Sequence, residues 1–216
     1  MNTVMTYLAQ LLRLAPVTLL VSLAALLTHV APPLESVFEL HQSAFADGEW
    51  WRLWTGHLTH FDRGHLFWDL GMFIALGILC ERNQRGFFPV FLMVSSAVVS
   101  LMVRWTHPEL AVYRGLSGID TGLFTWFIAN QFCDALRHKQ TRPAIAWLAA
   151  LGGLFAKLVY EWHTGNTLFV DSAQFVPLVE AHLAGAVVGV APAAIVLFRR
   201  SLRASTSGEG VDRSGV

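Results

Sequence analysis

The chain has 216 residues, of which 54% are hydrophobic and 14% are charged, and its formal net charge is zero. A soluble protein of this size needs more polar side chains than this to form its surface. The composition therefore excludes an ordinary soluble domain and favours a membrane-embedded bundle. We find no nucleotide-binding loop, haem motif or solenoid repeat, and we expect neither a cofactor nor a nucleic-acid partner.

Six apolar windows follow one another along the chain, at residues 14–30, 65–80, 87–103, 117–133, 143–160 and 178–198. A window of about 17 residues is about 25 Å long as a helix, which is the short end of what crosses a bilayer. Helix is the expected form, because lipid offers no partners to the backbone. The predicted fold class is therefore an all-α membrane protein with a six-transmembrane-helix bundle.

The two ends of the chain need separate interpretation. The first window resembles a secretion signal, but it has no clear cleavage site and five more spans follow, so we expect a retained helix. Residues 1–203 are predicted to form one membrane domain. Residues 204–216 are rich in Ser and Gly and are predicted to be a disordered cytoplasmic tail.

The basic residues predict the orientation of the bundle. With six spans both termini lie on one side, and ten of the 15 Lys and Arg residues fall on that side. The positive-inside rule therefore predicts cytoplasmic termini. The second, fourth and sixth helices would then all begin at the outer face.

Three polar residues begin those even-numbered helices: His65, Ser117 and His182. Taken alone, Ser117 would suit a helix cap and His182 a packed histidine. Small residues four apart, Gly118 and Gly122 in one helix and Ala181, Gly185 and Gly189 in the other, predict close contact between the fourth and sixth helices. Such contact would bring a hydroxyl and an imidazole together as a Ser/His dyad.

With these motifs the chain resembles the rhomboid family of intramembrane serine proteases over residues 48–198. The resemblance rests on several separated elements in the expected order: Trp51-Arg52, His60 with His65 four residues before Asp69, GxSG at residues 115–118 and AHxxG at residues 181–185. It implies Ser117 as the nucleophile and His182 as the general base, in a dyad that lacks the third carboxylate of soluble enzymes. Its substrates would be membrane-anchored proteins in the lipid bilayer.

The residue at position 69 departs from the family pattern, which has asparagine there as an oxyanion donor. A carboxylate would oppose the oxyanion unless it is neutral or neutralised, and His65, one turn earlier, is a candidate partner for Asp69. The oxyanion would then depend on the Ser117 N–H and on His65, with Gly115 and Leu116 supporting the turn. The alternative is that Asp69 only ties helices together.

Asp120 and Lys157 are two further ionisable residues, and both are predicted to lie within the membrane, where a charge is energetically unfavourable. We expect Lys157 to pair with Asp120 or Asp69, because they have opposite charge at similar depth. The family often has an aromatic residue near position 121; since Thr121 is found here, Phe124 or another ring would have to orient His182. Arg52 is expected to fix the first loop through carbonyls or Glu49, with lipid contact as the alternative.

Metal chemistry is a weaker interpretation. The histidines at 57, 60 and 65 lack the HExxH arrangement of zinc proteases, and a metal would leave Ser117 unexplained. We therefore expect no metal.

Within the family, the short six-helix form and the run from Gly48-Glu49-Trp50-Trp51-Arg52-Leu53 through Gly56-His57-Leu58 look most like rhombosortases. Members of that branch are associated with processing bacterial surface proteins through C-terminal Gly-rich anchor segments. The resemblance implies a multi-pass protein of the bacterial inner membrane whose active site opens toward the periplasm. Two other classes stay open: an inactive rhomboid-like protein that binds transmembrane segments, and a small proton-coupled transporter that uses Asp69, Asp120 and Lys157.

Overall fold

The computed structural model describes residues 13–166 and 178–208, with side chains described up to residue 195. The described residues form nine α-helices, one 3-10 turn and one two-stranded ladder. In chain order the elements are α1 Pro16–Val30, α2 Pro32–Phe38, β1 Leu40–His41, α3 Gln42–Ala46, α4 Arg52–Thr55, the 3-10 turn Gly56–Leu58, α5 Arg63–Asn83, α6 Phe88–Thr106, β2 Val112–Tyr113, α7 Ser117–Arg137, α8 Thr141–Thr164 and α9 Val179–Gly208.

Each of the six predicted windows contains a long helix, and the all-α class is confirmed. By length and apolar composition, α5, α6 and α8 are long and apolar enough to cross a membrane. Counting the bent pair α1 and α2, whose axes differ by 114°, as one broken span gives up to four candidate spans. Helix α7 is more polar because it carries Asp120, Asn130 and Asp134, and the first two of these are buried against protein.

The last helix is longer than predicted. Helix α9 continues to Gly208, past the expected boundary at residue 203. Extending a helix that is already formed costs much less than starting one, so the helix can continue past residue 203 despite the Ser and Gly content that suggested disorder. Residues 209–216 lie outside the described part of the chain.

Helix α7 is the centre of the bundle and contacts α5, α6, α8 and α9. Its Trp126 is fully buried, and its ring lies 4.8 Å from that of Phe91 and 6.1 Å from that of Phe88. Aromatic contacts of this kind add to the energy of burial. They fix α7 against α6 and so define where the first residue of α7 stands.

A buried carboxylate joins the first helix to the bundle. Both oxygens of Glu81, near the end of α5, accept hydrogen bonds from the first turn of α1: from Val17 N at 3.0 Å and from Thr18 N at 2.8 Å. A helix begins with unpaired N–H groups and a partial positive charge, so a carboxylate is the favoured partner there. The contact holds α1 against α5.

Helix α8 lies at the edge of the bundle. Of its 24 residues, all of which the structure describes, Ala144 and Glu161 are the buried ones. A helix with so much exposed apolar surface suits contact with lipid. The burial of a glutamate on such a helix is the exception.

The segment between α1 and α5, residues 31–62, is called loop 1 here. Loop 1 reaches the start of α7 through the ladder in which Leu40 pairs with Tyr113 and His41 with Val112. The end of the bundle where α5, α7 and α9 begin is called the site end. Loop 1 therefore supports the chain that leads into Ser117.

Candidate active site

Helices α7 and α9 meet backbone to backbone at the site end. A methyl group added to Gly185 would lie 1.8 Å from the carbonyl oxygen of Gly118, and one added to Gly189 would lie 2.2 Å from that of Gly122. A side chain larger than hydrogen does not fit at such a crossing. The predicted close contact between these two helices is confirmed.

Ser117 and His182 flank this contact on the two helices. Ser117 directly precedes Gly118 and is the first residue of α7, and His182 directly follows Ala181. A methyl group on Gly118 would lie 2.9 Å from the carbonyl oxygen of Ala181. Ser117 is partly exposed, while His182 is buried.

The turn before Ser117 has a strained backbone that glycine accommodates. Gly115 has φ +110°, and a methyl group there would lie 2.7 Å from His65 Nε2 and 2.9 Å from Asp69 Oδ2. Any other residue would carry both the backbone strain and the collision. The first glycine of GxSG is thus required by the packing of α5 against the turn.

Asp69 anchors this turn. Its Oδ2 accepts a hydrogen bond from Leu116 N at 2.8 Å, and it lies 3.2 Å from His65 Nε2 and 3.4 Å from His60 Nε2. The expected contact between His65 and Asp69 is present, and His60 adds a second ring that was not foreseen as a partner. The Leu116 N–H donates to this oxygen, and two imidazole nitrogens lie within 3.4 Å of it, so the buried carboxylate is surrounded by polar partners.

Loop 1 holds the same turn from its other side. His57 Nδ1 lies 3.0 Å from the carbonyl oxygen of Gly115, and His57 Nε2 lies 3.0 Å from that of Ser96. Burial lowers the pKa of His57, although these two carbonyls oppose the shift. Burial also lowers the pKa of His60, against the opposing effect of the nearby Asp69 carboxylate. Both rings therefore favour the neutral form, which costs less to bury.

Arg114 adds a charged clasp next to Gly115. Its guanidinium bonds to the carboxylates of Glu35 and Glu39 in loop 1. It also lies over the ring of Phe61, 5.1 Å from the ring centroid. The sequence analysis did not predict this cluster. The sequence shows only an arginine directly before GxSG and two glutamates in a distant loop.

Arg52 bonds to several groups of loop 1. Its Nε donates to Glu49 at 2.6 Å, and its Nη1 donates to the carbonyl oxygens of Glu39 at 2.6 Å and Ser36 at 3.1 Å. The side chain is 8% exposed. Arg52 thus holds loop 1 through contacts with protein groups.

The surroundings of His182 correct two expectations. Its Nδ1 lies 3.0 Å from Glu161 Oε2, so a carboxylate does stand behind the ring, contrary to the implied two-member dyad. Lys157 Nζ lies 2.7 Å from Glu161 and 3.5 Å from His182 Nδ1. The expected pairing of Lys157 with Asp120 or Asp69 is wrong, because Glu161 stands one turn along the same helix and is the nearer acid.

Two other predicted residues have different surroundings from those expected. Asp120 is buried, and its Oδ1 has no hydrogen-bond partner within the described residues. Phe124 packs against the core cluster that contains Trp126. The polar groups near Nδ1 of His182 are the side chains of Glu161 and Lys157.

Within residues 13–166 and 178–208, no three side chains of His, Cys, Asp or Glu are grouped in a way that would hold a metal ion. His57, which belonged to the metal interpretation, has both ring nitrogens beside protein oxygens.

These features define a multi-pass, all-α membrane protein in which buried Asp69 anchors the turn before Ser117 and the helix that carries His182 crosses the helix that begins with Ser117. A family model described as the rhomboid domain matches residues 47–199, and the chain belongs to the rhomboid family. Proteins of this family are generally intramembrane serine proteases that act on membrane-embedded substrates. A comparison with curated proteins finds no match.

Proposed function

We propose that this protein is an intramembrane serine endopeptidase in which Ser117 is the nucleophile and His182 the general base. The contact between α7 and α9 is the observation that supports it most. Backbones this close leave little distance between side chains on the first turns of two helices. Membership of the rhomboid family supports the same reaction.

In the proposed reaction, Ser117 Oγ attacks the carbonyl carbon of a peptide bond while His182 Nε2 takes the hydroxyl proton. The C–N bond then breaks, and His182 returns the proton to the leaving amine. Water hydrolyses the resulting ester by the same route. No cofactor takes part in these steps.

The oxyanion is proposed to bind at the start of α7. The Ser117 N–H belongs to the first turn of a helix, where N–H groups lack intrahelical partners and the helix dipole favours negative charge. His65 is the second proposed donor. Asp69 supports both, because it contacts His65 and holds the turn at Gly115 and Leu116 through the Leu116 N–H.

The proposed topology has six spans with both termini in the cytoplasm of a bacterium and the site end facing the periplasm. Its support is the concentration of Lys and Arg on the side of the termini. A membrane-anchored substrate would enter from the bilayer and unwind near the periplasmic face. Small residues such as glycine would be favoured at the cleaved segment, because they are poor helix formers.

Within the family, we propose the rhombosortase branch, which processes C-terminal Gly-rich anchor segments. Its support is the run from Gly48 through Leu58, whose Arg52 fixes loop 1. A reporter protein that ends in a Gly-rich motif, one hydrophobic helix and a basic tail tests this. Cleavage of that reporter in preference to one with Leu in place of the glycines supports the branch, and equal cleavage of both contradicts it.

The test of the proteolytic function is labelling of the purified protein by a fluorophosphonate, together with cleavage of a transmembrane substrate in vesicles. The wild type is expected to be labelled and active, and Ser117→Ala to lose both. Ser36→Ala, an exposed serine in loop 1, is the matched control and should retain both. Substrate binding without labelling or cleavage would favour the binding protein, and pH-dependent flux without labelling would favour the transporter.

A further inference from the structure

Glu161 is the unusual residue of α8. The helix exposes most of its surface, yet the Glu161 side chain is 2% exposed and lies near the helix end next to the site. A charged side chain is costly at such a position unless it has partners or a function. Because an isolated pair with Lys157 on the same helix would need no burial, the orientation of Glu161 requires another explanation.

The contact of Glu161 crosses from α8 to α9. Its Oε2 lies 3.0 Å from His182 Nδ1, within hydrogen-bond distance. A carboxylate oxygen accepts, so the proton of the neutral ring is on Nδ1. The opposite nitrogen, Nε2, is then unprotonated, which is the state that a general base requires.

The position of Lys157 bears on which nitrogen of His182 carries the proton. Its Nζ lies 2.7 Å from Glu161 and balances the buried carboxylate. The same ammonium lies 3.5 Å from His182 Nδ1, and as a donor it would favour the proton on Nε2, where the base would be blocked. Glu161 is the nearer of the two groups to Nδ1 and therefore determines the tautomer.

We propose that Glu161 is a positioning residue that holds His182 in the Nδ1–H tautomer and stabilises the imidazolium formed during catalysis. The inference rests on the proposed function. When Ser117 Oγ bonds to the substrate carbon, its proton moves to His182 Nε2, and the positive ring remains bonded through Nδ1–H to the Glu161 carboxylate. Glu161 keeps its charge throughout, and the proton leaves with the amine.

The first test compares Glu161→Gln and Glu161→Asp with Glu109→Gln, which makes the same change at an exposed glutamate. In Glu161→Gln the amide oxygen binds Lys157 and its NH2 group faces Nδ1, which favours the wrong tautomer. We expect kcat to fall about 10²- to 10⁴-fold with KM unchanged. Glu161→Asp should recover part of the rate, and Glu109→Gln should equal the wild type.

The second test can be decided on the wild type, so it does not depend on a Glu161 variant that folds. ¹⁵N-histidine NMR of the folded protein, with the His182 signal assigned by comparison with His182→Gln, reports which ring nitrogen carries the proton. The wild type is expected to show Nδ1–H, and Glu161→Gln to show Nε2–H at an unchanged melting temperature. An Nε2–H ring in the wild type would overturn the inference, even if Glu161→Gln failed to fold.

The outcomes separate this inference from the proposed function. If Ser117→Ala abolishes cleavage while Glu161→Gln keeps the wild-type kcat, the protease stands and the role of Glu161 is wrong. If Ser117→Ala leaves cleavage unchanged, the proposed function fails, and the tautomer measurement still decides whether Glu161 orients His182.

Discussion

Asp69 Oδ2 accepts a hydrogen bond from the backbone N–H of Leu116 at 2.8 Å. The acid at a position where the family has asparagine thus binds the turn that precedes Ser117. It does so as an acceptor, so its contribution is to hold that turn and His65 in place.

Asparagine at this position should therefore be tolerated. In Asp69→Asn the amide oxygen can still accept from Leu116, so we expect fluorophosphonate labelling within about tenfold of the wild-type rate, a change of about 1.4 kcal/mol in the barrier. Asp69→Ala leaves a buried N–H without a partner and should cost about 1–3 kcal/mol of stability. Asp47→Asn, at an exposed position of loop 1, is the control. Loss of labelling in a folded Asp69→Asn would show that the charge itself is needed.

The crossing of α7 and α9 predicts a severe effect for a small change. Gly185→Ala would place a methyl group 1.8 Å from the Gly118 carbonyl oxygen, so the helices must separate. Overpacking of this kind costs about 1–3 kcal/mol or more, and we expect both a lower melting temperature and loss of labelling. Gly152→Ala, where a methyl group meets nothing within 4 Å, should instead leave labelling intact and stabilise the helix by about 0.5–1 kcal/mol.

The pair between Lys157 and Glu161 predicts which charges are coupled. Lys157→Met leaves a buried carboxylate without its cation; such losses cost about 3–5 kcal/mol when both partners are buried, and we expect less here because the Lys157 side chain is 22% exposed. Melting temperature and cleavage rate should both fall, and Lys157→Arg should restore most of each.

A double-mutant cycle identifies the partner. The effects of Lys157→Met and Glu161→Gln on the free energy of unfolding should be non-additive. The effects of Lys157→Met and Asp120→Asn on the same quantity should be additive. Strong coupling to Asp120 would mean that the ammonium pairs with that acid after all.

Buried His57 predicts how stability depends on pH. Burial lowers its pKa in the folded state, so the unfolded state binds more protons once the pH falls below about 6.5. Stability is therefore complete above that pH and declines on acidification. The melting temperature in detergent should fall between about pH 7 and pH 5.

His57→Gln is the comparison variant for this prediction. The residue faces the Gly115 and Ser96 carbonyls, the Ser100 hydroxyl and the Tyr113 ring, with the charges of Asp69 and His60 further away. The variant should be less stable at pH 7 but should lose less on acidification. A slope equal to that of the wild type would assign the pH dependence to other groups.

The sequence predicted those features that depend on helical periodicity and on small residues. The six long helices and the contact at Gly118 and Gly185 follow from patterns repeated within single segments, so one chain is enough to see them. The i, i+4 spacing of Lys157 and Glu161 was also visible in the sequence. We instead chose Asp120 and Asp69 as partners because they were predicted to lie at a similar depth in the membrane.

Contacts between distant segments were harder to predict. Glu161 lies 21 positions before His182, on a helix whose rotation about its own axis is set by packing. Arg114 meets Glu35 and Glu39 only because the short ladder at Leu40 brings loop 1 to the turn. The usable signal for Glu161 was a glutamate at the end of an otherwise apolar helix.

The sparse burial of α8 has an evolutionary consequence. Ala144 and Glu161 are its buried residues, so most of its side chains are not constrained by packing. The length of the helix and its apolar content can therefore change with the thickness of the host membrane. A chain transplanted to a thicker or thinner bilayer would adapt first on this helix, by substitutions that leave position 161 untouched.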